Sequence, residues 1–172
     1  MIITINKLSK IKKQNSNKKI VLTIGTFDLF HYEHLRYLQD AKKLGDILVV
    51  FVKSDKMAKE KSPSRPIIEG YQRMLIVDEL KSVDYTVLCE KERTLKTVEK
   101  LFSKQDENTS KYLCKFSEYF EKLHPDILYH EDSKELQNGR DILAKKLNIK
   151  LIKRPRTAIV STTKIINKIK MS

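Results

Sequence analysis

The sequence predicts an α/β protein, a single domain built on a doubly wound, five-stranded parallel sheet. Three observations predict it. At 172 residues the chain matches roughly one domain of about 150 residues and is long enough to bury a sizeable core. From Lys19 onward, short apolar runs of strand character alternate with stretches of helical periodicity, the pattern of strands joined by crossover helices. Gly, Pro, Asn and Asp punctuate the junctions.

Ile20 to Ile24 (IVLTI) is the first strand. A helix from about Glu33 to Leu44 follows, with Leu35, Leu38, Ala41 and Leu44 on one face and Gly45 as its stop. Strand two is Ile47 to Val52. A polar, Pro-bearing loop, Lys53 to Pro66, leads to a helix from about Tyr71 to Lys81 carrying Met74, Leu75, Val77 and Leu80, and then to strand three, Tyr85 to Leu88. Thr94 to Phe102 reads as a helix, Asp106 to Ser110 (DENTS) as a break, and Tyr119 to Lys122 as part of another helix. His124-Pro125-Asp126 introduces strand four, Ile127 to His130. Lys134 to Leu147 is a helix that Gly139 weakens. Strand five is Ile149 to Ile152, and Ser161 to Lys170 closes the chain as a helix with Ile165, Ile166 and Ile169 on one face. This is a Rossmann-like order, and such sheets bind ligands at the carboxyl ends of their strands. Residues 1–18 read as an N-terminal extension, residues 19–172 as the domain; Lys7 to Lys19 is the densest basic run and fits a short amphipathic helix.

Composition narrows the function classes. The net charge is +13, carried by 28 lysines against seven arginines. Such charge suits nucleic acid or anionic surfaces. The lysines, however, are interspersed with acids, as in Lys59-Glu60-Lys61 and Glu90-Lys91-Glu92, which reads as a solvated surface with no specific nucleic-acid partner. Cys89 and Cys114 lie far apart with no C-x-x-C partner, so neither a disulfide framework nor a cysteine zinc site is predicted. The longest apolar runs, such as Ile47 to Val52, are about a third of the roughly 20 residues a membrane span needs, and the N-terminus lacks an apolar signal core; the expected setting is cytoplasmic. With only four glycines, neither a G-x-G-x-x-G fingerprint nor a Walker A loop can be built.

The candidate chemistry falls after strand one, in Gly25-Thr26-Phe27-Asp28-Leu29-Phe30-His31-Tyr32-Glu33-His34. Gly25 allows backbone amides to turn toward a ligand, and His31 and His34 stand three apart at a helix start, where free amides and the helix dipole already favour phosphate. The same histidines fit a zinc pair or an ordinary surface, although zinc needs further ligands and only His124 and His130 remain. Asp28 is a turn former as well as a carboxylate able to orient substrate or magnesium. Ser161-Thr162-Thr163 at the last helix start reads either as phosphate-binding hydroxyls or as a plain N-cap.

GTFDLFHYEH resembles the H-x-G-H nucleotidylyltransferases, whose motif G-[TC]-F-D-x-x-H-x-G-H follows the first strand. Lys61, Arg65-Pro66 and Gln72-Arg73 resemble that family's phosphate-binding lysine loop and the arginine of the next helix. Arg156-Thr157-Ala158-Ile159-Val160-Ser161-Thr162-Thr163-Lys164-Ile165 is similar to the cytidylyltransferase signature R-T-E-G-I-S-T-T-K-I. The resemblance covers Lys19 to Lys170. It implies transfer of CMP from CTP to a small phosphorylated alcohol or sugar with release of pyrophosphate; the alternatives are a heptose-phosphate type of adenylyltransferase using ATP, or a catalytically degenerate nucleotide-binding module. It further implies Mg2+, a homodimer with the segment Phe102 to Leu123 at the contact or on the surface, and three sets of residues. His31, His34, Lys61 and Arg156 would be catalytic, with the histidines on the triphosphate and the cations balancing its charge. Gly25, Thr26, Phe27, Ser161, Thr162 and Thr163 would bind nucleotide. Asp28, Arg73, His130 and Asp132 would meet the acceptor.

Two family glycines are replaced, by Glu33 and Ile159. In the family the first lets the nucleotide lie close to the helix start. A glutamate there adds bulk and negative charge unless it swings outward or pairs with a cation such as Lys53 or Lys61. A tolerated variant, an altered substrate, and binding without catalysis all stay open.

Overall fold

The computed structural model describes residues 1–60, 63–131, 137–155 and 159–171. Five parallel strands form one sheet in the order β3-β2-β1-β4-β5, with β1 Ile20–Gly25, β2 Ile47–Lys53, β3 Tyr85–Cys89, β4 Ile127–Glu131 and β5 Lys150–Arg154. Both faces are covered, which is why the strands read as continuous apolar runs. Ile20, Leu22, Val49, Phe51, Val87 and Leu128 face one core, Val21, Leu48, Val50, Val52, Ile127 and Tyr129 the other. Strand order reverses between β1 and β4. There the register pairs only Val21 with Ile127 and Leu22 with Leu128, whereas β1 and β2 stay paired from Ile20 to Gly25. The sheet therefore opens between β1 and β4 toward the carboxyl ends, where such folds hold ligands.

Helices α2 Tyr32–Lys42 and α4 Gly70–Asp78 cover one face. The other is covered by α1 Leu8–Gln14, α5 Leu95–Phe102, α6 Glu107–Leu123 and α7 Gln137–Leu147. A short helix, α3 Asp55–Lys59, sits inside the stretch read as loop, capped by the Ser54 hydroxyl accepting from Met57 N. The chain ends in α8 Thr162–Met171.

Two expectations are corrected. Asp106 to Ser110 is a helix start: the Asp106 carboxylate accepts from Thr109 N at 3.0 Å, and the same acidic and hydroxyl residues that favour turns make good N-caps. The helix runs on to Leu123, where His124 closes it in the left-handed region at φ 50. One face of this segment buries Tyr112, Leu113, Phe116, Tyr119, Phe120 and Leu123 in the core, while Lys104, Glu107, Asn108 and Lys111 lie exposed on the other. Gly45 is not a left-handed helix stop, because no glycine has positive φ; a Cβ there would lie 2.7 Å from the Lys19 carbonyl oxygen and the same distance from Val21 Cγ2, so close approach to β1 demands glycine.

The N-terminal stretch, read as an extension, packs into the domain. Ile2 bridges Thr86 in parallel, and Ile3 N donates to Thr86 O at 2.9 Å, beside β3. Leu8 and Ile11 of α1 are buried against the α6 face. Gly139, expected to weaken α7, is buried where a Cβ would stand 2.5 Å from the Tyr112 ring, so glycine lets α7 approach α6. Among the described residues, no helix is long and apolar enough to cross a membrane.

Candidate functional site

The turn from β1 into α2 takes an uncommon backbone path. Phe27 and Leu29 are both left-handed, at φ 54 and 44, a conformation that costs a non-glycine residue about 1 to 2 kcal/mol. Phe27 folds back over Gly25 so closely that a Cβ on Gly25 would lie 2.6 Å from the ring. Such a path persists only where its surroundings over-determine it. The Asp28 carboxylate accepts from Ile67 N and Ile68 N, each at 3.0 Å. The Arg73 guanidinium donates to the carbonyls of Thr26, Ile68 and Lys53 and to the Asp55 carboxylate. Thr162 Oγ1 donates to Asp28 O at 2.8 Å.

These partners revise two expectations. Asp28 is 2% exposed and Arg73 is 0% exposed, so the pair shapes the loop and presents no face to a substrate. Nor does Asp28 fit a magnesium ligand, since its oxygens are taken by backbone amides within a closed environment. Among the described residues, no group of three His, Cys, Asp or Glu side chains could hold a metal.

His31 precedes the first turn of α2 and His34 lies within it. Their rings stack at 3.8 Å between centroids, 18° from parallel, and the Phe27 ring stands edge-on to His34 with centroids 5.5 Å apart. Burial lowers the pKa of both, and for His34, with the neighbouring His31 adding to the effect, it falls to about 4. Both Nδ1 atoms are out of water, with no hydrogen-bond partner among the described residues. At neutral pH the pair is therefore two uncharged imidazoles, able to donate N–H groups while contributing no net charge.

The far end of the chain meets this loop. Besides the Thr162 bond, Thr163 Oγ1 accepts from Arg65 Nη2 at 2.9 Å, and Ser161 Oγ accepts from Lys164 N at 3.2 Å, as an N-cap does. Ile159, in place of one family glycine, is 71% exposed and points its bulk outward. Glu33, in place of the other, is buried and pairs with Arg154 at 3.2 Å. The arginine ending β5 is thus one partner of this carboxylate.

On the opposite side of the β1/β4 opening, Lys53, His130, Arg140 and Tyr112 line a small recess with Ile24 and Leu128. His130 is buried, its Nδ1 3.1 Å from Arg140 Nη1 and 3.0 Å from Glu131 O. Lys61, Asp132 and Arg156 lie outside the described residues. Arg140 and Arg154 were not singled out from sequence as site residues, and Arg65 was marked only by its place in the lysine-loop resemblance. Arg154-Pro155, just before the signature arginine, and Arg140, ten residues past His130, carry no spacing that would have marked them; only the sheet register aligns their strands and helices.

A family model described as cytidylyltransferase-like matches residues 22–168. The bifunctional protein HldE of Campylobacter jejuni is 39% identical over 112 residues, 64% of this chain and 23% of that protein. The FAD synthase of Ferroglobus placidus is 46% identical over 84 residues, 49% of this chain and 53% of that protein. The chain thus spans about a quarter and about half of these relatives. The crystal structure of a lipopolysaccharide core biosynthesis protein from Thermoplasma volcanium shares the fold at a TM-score of 0.55 and 28% identity, covering 81% of this chain and 97% of that one.

Proposed function

From the membership of this chain in the cytidylyltransferase-like family, we infer that it transfers a nucleotidyl group from a nucleoside triphosphate to a small phosphorylated acceptor. An acceptor phosphate oxygen attacks the α-phosphorus, the bond to the β-phosphate oxygen breaks, and pyrophosphate leaves with the electron pair. No covalent enzyme intermediate is required; the work is positioning and charge stabilisation. The observation that carries this reading is the Thr162 to Asp28 hydrogen bond, which brings the hydroxyl cluster of α8 onto the histidine loop.

His31 and His34 would donate N–H groups to the triphosphate as neutral rings. Balancing its charge then falls to cations, with Lys61 and Arg156 in that role, Arg65 beside Thr163, and the amides at the starts of α2 and α8 adding partial positive charge. The Lys53, Arg140 and His130 recess is suited to the acceptor's anionic group. CTP is the nucleotide that the R-T-x-x-x-S-T-T-K-I spacing favours; ATP is the second reading, favoured by the relative named FAD synthase, whose product carries an adenylyl group. Magnesium enters as the ion accompanying the triphosphate. The chain would act in the cytoplasm, and a homodimer is read out by sedimentation.

The test is pyrophosphate release by the full chain with Mg2+ and either CTP or ATP, across a panel of phosphorylated alcohols and sugars. One pair should turn over, and His34→Ala should cut its rate by about 100-fold or more, the usual effect of removing a donor to developing charge. Nucleotide binding without release on any acceptor would instead identify a binding module.

A further inference from the structure

We propose that Tyr37 is a positioning residue: its hydroxyl stands in for the missing backbone rung between β1 and β4, fixing the floor of the crevice a nucleotide enters and the seat of α2, which carries the imidazoles. The proposal deepens the nucleotidyl-transfer reading of that site and rests on it. β1 and β4 pair only at Val21 with Ile127 and Leu22 with Leu128. Each strand nevertheless continues in register with its other neighbour, β1 with β2 as far as Gly25 and β4 with β5 as far as Glu131. One step beyond the last pair stand Thr23 and Tyr129, 0% and 6% exposed. Strands that part inside a protein leave polar groups that need partners.

A tyrosine hydroxyl can accept and donate at once. That of Tyr37 accepts from Thr23 Oγ1 and donates to Tyr129 O at 2.9 Å, so it joins one strand to the other across the fork. Burial pushes its pKa well above the ordinary value, which keeps the donated proton in place at neutral pH. The ring has a separate task, stacking on Tyr129 with centroids 5.0 Å apart in the apolar layer between α2 and the sheet. Tyr37 lies three residues past His34, one turn further along the same side of α2. The bridge therefore ties the helix that presents the imidazoles to the two strands whose parting makes room for a ligand. Sheets of this kind hold ligands at that reversal of strand order, and small displacements of the groups that hold a ligand carry disproportionate penalties.

Calorimetric titration of the full chain with CTP and with ATP, each with Mg2+, tests this at a temperature where circular dichroism shows every variant folded. Tyr37→Phe keeps the ring and removes the bridge; it should melt lower and bind the nucleotide that wild type prefers about tenfold more weakly. Thr23→Val, which removes one arm, should lose about threefold, while Thr23→Ser, which keeps the hydroxyl, should match wild type. The double variant Thr23→Val, Tyr37→Phe should bind no worse than Tyr37→Phe, because the two residues act through one bridge. Tyr119→Phe is the control. Tyr119 is 2% exposed, and its hydroxyl accepts from Lys91 N at 2.9 Å on the other face of the sheet, so this variant should melt lower yet bind as wild type does. Should Tyr37→Phe fail to fold, the difference between Thr23→Val and Thr23→Ser decides the matter. Wild-type affinity in both Tyr37→Phe and Thr23→Val, or equal weakening by Tyr119→Phe, would overturn the proposal and leave the hydroxyl a contributor to stability alone. A wild type that binds neither nucleotide would overturn the nucleotidyl-transfer reading, and this proposal with it.

Discussion

Helices α2 and α8 bring their amino-terminal ends to one loop but are secured in contrasting ways. The first is built into the core, burying Glu33, Tyr37, Leu38 and Ala41. The second buries only Thr162, and its apolar residues Ile169 and Met171 are 65% and 88% exposed. One half of the candidate site is thus specified by packing together with the fold. The other is specified by a few polar bonds, of which the Thr162 hydroxyl on Asp28 O is the innermost. Damage to the α2 side should therefore appear as lost stability, damage to the α8 side as lost function at nearly unchanged stability.

The largest effect is expected at Arg73, whose fully buried guanidinium satisfies three carbonyls and Asp55. Arg73→Met should cost about 3 to 5 kcal/mol in urea unfolding, because it leaves those acceptors and the carboxylate unpaired. A loss under about 1 kcal/mol would show that the α2 half is not held as described. Next comes pH. His34 titrates near 4 in the folded chain against 6.5 when unfolded, so the unfolded chain takes up the proton first as pH falls. Stability from this group is complete above about pH 6.5 and declines through about pH 4, by about 3 kcal/mol. The decline should shrink in His34→Phe, measured as the difference between denaturation midpoints across that window. Thr162→Val should cost about 1 kcal/mol in stability, yet weaken triphosphate binding by more than that loss converts to; a matched loss in both would erase the contrast between the halves. Smallest of all, Ile169→Ser should change the melting temperature by the equivalent of less than about 0.5 kcal/mol.

The fold was readable because its signal is redundant. Each strand is an apolar run bounded by turn formers, and the five strands observed overlap the five expected ones to within a residue or two at each end. What went astray was local chemistry with two meanings. Asp106-Glu107-Asn108-Thr109-Ser110 is equally a turn and a capped helix start, and only the burial of Tyr112, Leu113 and Phe116 one turn later selects the helix. The site was legible as two motifs about 130 residues apart, and Thr162 meeting Asp28 O is a contact that strand order implies. The inward role of Arg73 and Asp28 was not legible, since a charged residue beside a phosphate motif looks the same in sequence whether it faces a ligand or props up a loop. Arg154 escaped for a related reason: its meaning comes from Glu33, which is 121 positions away.

The two left-handed residues of the β1–α2 turn bear on how this protein could be improved. Leu29→Gly would relax a disfavoured torsion, and a search for thermal hardiness would single it out. The same change would free a segment whose one allowed shape keeps Phe27 against His34 and Asp28 within reach of three tethers. Any gain in heat resistance obtained there would be drawn from the rigidity with which the imidazoles are presented.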